Sequence, residues 1–106
     1  MSSKRTEAAL AKADEIEAEL KRLGWWQQGP LRPEQYDFKH AFGMDTMVFQ
    51  QWLQFILLER VRSIAAEGGQ FPSSSSVGVM AARELDGYPE AEKLVSLLGQ
   101  FDALFR

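Results

Sequence analysis

Few side chains in this sequence are equipped for chemistry. His40 is the single histidine, and histidine alone titrates near neutral pH without a shifted pKa. With Lys39 beside it and Asp37 nearby, it can assist proton transfer if a partner is positioned for it. The alternative is a surface or packing histidine. Asp45, followed by Thr46, can act as a general base or bind a cationic group. Either residue is equally suited to capping a helix start. Arg60 falls 11 residues after Phe49 and 7 after Leu53, which puts all three on one helical face. A guanidinium on an apolar face must pair, snorkel or meet a ligand, so we expect Arg60 to be at least half buried and charge-paired. Trp25, Trp26, Tyr36 and Trp52 can line a pocket for a small ring or fill a core, and Trp52 is expected in the core.

Composition removes other chemistries. The chain has 106 residues, a net charge of −3 and no cysteine, so thiolate nucleophiles, thiolate metal sites and disulfides are excluded. One histidine excludes a multi-histidine metal site. No catalytic residue, metal ligand or cofactor is nominated. Arg32, Lys39 and His40 make only a weak basic cluster, whereas phosphate backbones need several Lys or Arg on one face. Direct nucleic-acid binding is therefore not expected. The longest run of large apolar residues, Phe55-Ile56-Leu57-Leu58, is far short of a membrane span. Met1 to Ala13 carries no apolar signal-peptide core, so a cytoplasmic location is expected.

These residues need elements to position them. Ala9, Ala13, Ile16, Leu20 and Leu23 follow spacings of four, three, four and three, a narrow seam for helix-on-helix packing. Ser2, Ser3 or Thr6 can cap this first helix and Gly24 can end it. From Trp25 to Gly43 the chain is rich in aromatics but broken by Gly29, Pro30 and Pro33. It reads as an ordered strap across the bundle, with a short helical turn near Pro33 to Tyr36. A second helix runs from a cap at Asp45 or Thr46 to about Glu67, where Gly68-Gly69 ends it. Its apolar arc covers more than half the wheel, and Leu58 and Val61 interrupt the side that holds Gln50, Gln51, Gln54 and Arg62. After a serine-rich loop, Ser75 or Ser76 caps a short third helix from Val77 to about Leu85. Pro89 opens a fourth, with Ala91, Leu94, Leu98, Phe101 and Phe105 as its seam. No window shows sustained apolar alternation. The fold class is all-α: a four-helix bundle in one domain over residues 1–106, with a long aromatic strap between helices 1 and 2.

Phe42-Gly43-Met44-Asp45-Thr46-Met47, then Gln51-Trp52-Leu53-Gln54-Phe55 and Leu57 to Arg60, resemble the central motif of the YqcC family. These are small bacterial proteins of unknown function. The similarity spans nearly the whole chain and includes the closing Phe101-Asp102-Ala103-Leu104-Phe105. It implies an all-helical, self-associating bundle with no established catalytic residues to carry over. It also implies a link to tRNA modification, because members are often encoded beside a tRNA pseudouridine synthase. One departure is Glu59, where relatives often have proline. Proline would kink the helix, so a straighter helix is expected here.

Together these observations give two functional expectations. The first is association, as a homodimer or with a protein partner, through the broad face of the second helix and the strap around Phe42 to Thr46. The homodimer would place the second or fourth helix near the two-fold axis. The second is a small-ligand pocket under the 25–43 strap, lined by Arg60, Asp45 and the aromatics.

Overall fold

The first helix, α1 (Lys4–Arg22), starts where the Ser3 side chain accepts a hydrogen bond from the Thr6 backbone N–H at 3.0 Å. A computed structural model describes residues 3–105, so the alternative cap, Ser2, lies outside the described residues. Ala9, Ala13, Ile16 and Leu20 are fully buried, as their spacing requires. The helix ends at Gly24, whose φ of +76° suits glycine. There Trp25 N–H reaches Leu20 O at 2.9 Å and Gly24 N–H reaches Lys21 O at 3.0 Å. That pair of bonds satisfies carbonyls which the helix end would otherwise leave bare.

The strap is ordered. It contains a 3₁₀ turn over Pro33–Tyr36 and another over Ala41–Gly43. Glutamines fasten it to the bundle. The Gln54 amide accepts from Gln27 N–H at 2.8 Å and donates to Gln27 O at 2.9 Å. Gln35 donates to Thr46 O at 3.1 Å while the Thr46 hydroxyl donates to Gln35 O at 2.6 Å.

The second helix, α2, spans residues 49–66 and has three parts: Phe49–Trp52, a π-turn over Leu53–Leu57, and Leu58–Ala66. Its start corrects the expected cap. Val48 is the N-cap residue, and its N–H is taken by the Gln51 side chain at 3.0 Å. The Asp45 carboxylate instead accepts the N–H groups of Lys39, at 2.8 Å, and His40, at 3.3 Å. Asp45 thus closes the strap on itself.

The π-turn changes the register of everything after it. Leu58 N–H bonds Leu53 O, five residues back, which adds one residue to that turn. Later positions are rotated by about 100° relative to an unbroken α-helix. Val61, eight residues after Leu53, therefore takes the buried face, and Leu58 is fully buried. Arg60 is turned out and is exposed. This explains why an ordinary wheel makes α2 look apolar nearly all round: two buried stripes in different registers are being read as one. The chain itself covers Phe49, Trp52, Leu53, Ile56, Leu57, Leu58 and Val61.

A third helix, α3 (Val77–Glu84), and a fourth, α4 (Glu92–Ala103), complete the bundle. A 3₁₀ turn over Pro89–Ala91 leads into α4. α1 packs against α4 and against the second half of α2, while α3 packs on α4. A Cβ on Gly78 would lie 2.8 Å from the Gly99 backbone, so α3 and α4 cross at a point that only glycine allows. Among the described residues no strand occurs, and no helix is long and apolar enough to cross a membrane.

Candidate functional site

The cap of α3 comes from a distant residue. Ser76 occupies the N-cap position without a side-chain bond. The Asp102 carboxylate on α4 accepts from Val77 N–H at 3.0 Å and Gly78 N–H at 2.7 Å, and the Ser75 hydroxyl also donates to it. Asp102 is only 6% exposed. A carboxylate at a helix N-terminus is favourable both as an acceptor and as a charge. The serine loop is therefore held down at one end, and a space opens beneath it.

That space is a cavity of about 330 Å³ between α2, the serine loop and the end of α4. Its walls include the rings of Trp52, Phe71, Phe101 and Phe105. Phe71 and Phe105 lie 5.3 Å apart by ring centroids, and Phe101 and Phe105 5.0 Å. Ser74, Ser75 and Ser76 form a polar edge, and Arg60 stands at the rim. Among the described residues Arg60 makes no ion pair. Its neighbour Arg62 takes the nearby acids of α1, reaching Asp14 at 3.0 Å and Glu17 at 2.8 Å. The expected half-buried, charge-paired Arg60 is thus replaced by an exposed one beside an aromatic cavity. The π-turn is the cause.

The other sequence candidates lie elsewhere. Trp52 is buried, as expected, and joins the cavity wall to a cluster with Phe42 at 4.8 Å and Phe49 at 6.1 Å. Phe42 holds a φ of +58°, a sparsely populated conformation for an aromatic residue, which turns its ring onto Trp52. Trp25 meets Tyr88 edge-on at 5.4 Å, and Trp26 lies under the Lys21 ammonium at 5.0 Å. Tyr36 and His40 are exposed on the strap. Asp45 is exposed too, and the backbone N–H of Lys39 holds its carboxyl below the ordinary range. Only Trp52 and Arg60, of the residues singled out from sequence, line the large cavity. A smaller groove of about 230 Å³ lies at the end of the strap, lined by Met44, Met47, Val48, Phe49, Gln50, Glu84 and Tyr88.

A family model described as "tRNA pseudouridine synthase C" matches residues 8–104. The chain belongs to this family, DUF446. The chain is similar to the uncharacterized protein YqcC of Escherichia coli (strain K12). It is 28% identical over 91 residues, covering 85% of this chain and 84% of the relative. An uncharacterized protein of Haemophilus influenzae is 21% identical over 91 residues, covering 86% of each chain. The solution NMR structure of E. coli YqcC superimposes with a TM-score of 0.86 at 24% identity, over 97% of this chain and 89% of that one. The resemblance carried by residues 42–60 therefore holds, and the all-helical bundle described above is shared with E. coli YqcC.

Proposed function

We propose that the protein is a binding protein that takes the apolar part of a small molecule into the cavity between α2, the serine loop and α4. The observation that carries this reading is the aromatic-walled space of about 330 Å³ with the Arg60 guanidinium unpaired at its rim among the described residues. The volume lies at the lower end of the roughly 300–1,000 Å³ range of small-molecule sites, and an apolar wall with few polar groups is their usual make-up. The test is calorimetric titration with a neutral probe, 4-phenylbutanol. Ile64 also lines the cavity, and saturable binding that disappears in a filled variant, Ile64→Trp, with helical content retained, is the expected result. No saturable binding to the unmodified protein overturns the reading.

A second reading, association with a second copy or another protein, has its own support. Met44 is 54% exposed, Val48 59% and Tyr88 45%, and all three line the smaller groove. This support does not come from α2, whose apolar residues the chain already covers. Light scattering at high micromolar concentration checks it: a dimer mass supports the reading, and a monomer mass removes self-association. The family description enters only as a pathway. A net charge of −3 argues against this chain gripping tRNA itself. We place it beside such chemistry as a binding component.

A further inference from the structure

We infer that Arg60 makes the cavity selective for small carboxylates with an aromatic or branched apolar body. The inference rests on the cavity reading above and adds the ligand's charge. Among the described residues, Arg60 is the only cationic side chain on the cavity wall. Arg22, Arg32 and Arg62 each pair with a glutamate; among the described residues Arg5, Arg60 and Arg83 do not, and of these three Arg60 alone lines the cavity. A planar guanidinium offers paired donors that match a carboxylate. The α3 N-terminus, beside the serine edge of the cavity, is no rival anion site. Its Val77 and Gly78 N–H groups are already taken by Asp102, and that buried negative charge repels a second one. An anion is thus drawn to the Arg60 end, while the body of the ligand extends over Trp52, Phe71, Phe101 and Phe105.

The experiment compares 4-phenylbutyrate with 4-phenylbutanol by calorimetric titration of the unmodified protein, Arg60→Gln and Arg60→Lys. Arg60 is exposed, so both variants are expected to fold. The acid should bind about tenfold more tightly than the alcohol, as one charge-assisted interaction allows. Arg60→Gln should erase that advantage, weakening the acid far more than the alcohol. Arg60→Lys should keep part of it, and added salt should weaken the acid alone. Equal affinities for acid and alcohol, or an acid preference that survives in Arg60→Gln, overturn the role of Arg60 while leaving the cavity reading intact. Failure of both probes overturns both.

Discussion

The strap with its junction to α2, residues 25–48, and the corner around the serine loop treat their polar side chains in opposite ways. In the strap, the Gln35 amide, the Thr46 hydroxyl and the Asp45 carboxylate bond backbone groups, and the Gln54 amide of α2 bonds the Gln27 backbone. The strap carries most of the sequence-derived candidates, yet its polar groups serve its own shape. In the corner, Asp102 is spent on the α3 cap, but Arg60 is left to the rim of a cavity. An irregular segment rich in aromatics is therefore no guide to a site. What matters is which polar groups the fold leaves without work.

The largest expected effect lies in the corner. Asp102→Ala leaves the buried N–H groups of Val77 and Gly78 without an acceptor, and should cost about 3 kcal/mol. Asp102→Asn keeps one acceptor oxygen and should lose less. Urea unfolding of both variants measures this, and a negligible loss in Asp102→Ala would break the account of the corner. Next comes the strap's anchor. Gln54 is 6% exposed and bonds both backbone groups of Gln27, so Gln54→Ala should cost about 2 kcal/mol. A faster exchange of the Gln27 amide proton would show that the strap lifts locally.

Acid provides a milder probe of the strap. Hydrogen bonds from the Lys39 backbone lower the Asp45 pKa below its ordinary 3.8. A group whose pKa is lowered by folding stabilises the fold above its unfolded pKa and loses that contribution as pH falls through the folded one. Glu19, held below its ordinary 4.5 by the Arg22 side chain, acts in the same direction. Melting temperature should therefore fall on acidification through the carboxylate range. The fall should be shallower in Asp45→Asn, and an identical acid limb would show that Asp45 does not hold the strap. The smallest stability effect belongs to Arg60→Gln, within about 0.5 kcal/mol of the unmodified protein because the side chain is exposed and unpaired among the described residues. A larger loss in the same unfolding experiment would mean that Arg60 serves the fold after all.

Much of the fold is legible in the residues, because it depends on local pattern. The α1 seam, the Gly24 stop and the turn at Pro33–Tyr36 follow from spacing and backbone preference. The site is less legible, because it depends on one departure from pattern. A helical wheel assumes 3.6 residues per turn, and the π-turn over Leu53–Leu57 breaks that assumption where Arg60 is to be placed. The signal was present in Leu58 and Val61, two large apolar residues on an otherwise polar side. Asp45 and Asp102 were illegible for another reason. Each bonds backbone groups outside its own helix start, at Lys39 and His40 in one case and Val77 and Gly78 in the other. Such partners come from tertiary approach, which no local spacing records. The cavity walls were in view only as parts of other features: Phe101 and Phe105 as the α4 seam, Ser74 to Ser76 as a loop.

The most direct test of the central claim is a two-dimensional ¹H–¹⁵N spectrum recorded during titration with 4-phenylbutyrate. The account predicts progressive shifts for the amides of residues 60–64, 71–77 and 101–105, with residues 35–47 of the strap unmoved. Shifts centred on Met44, Val48 and Tyr88, or a spectrum that does not change, would contradict it.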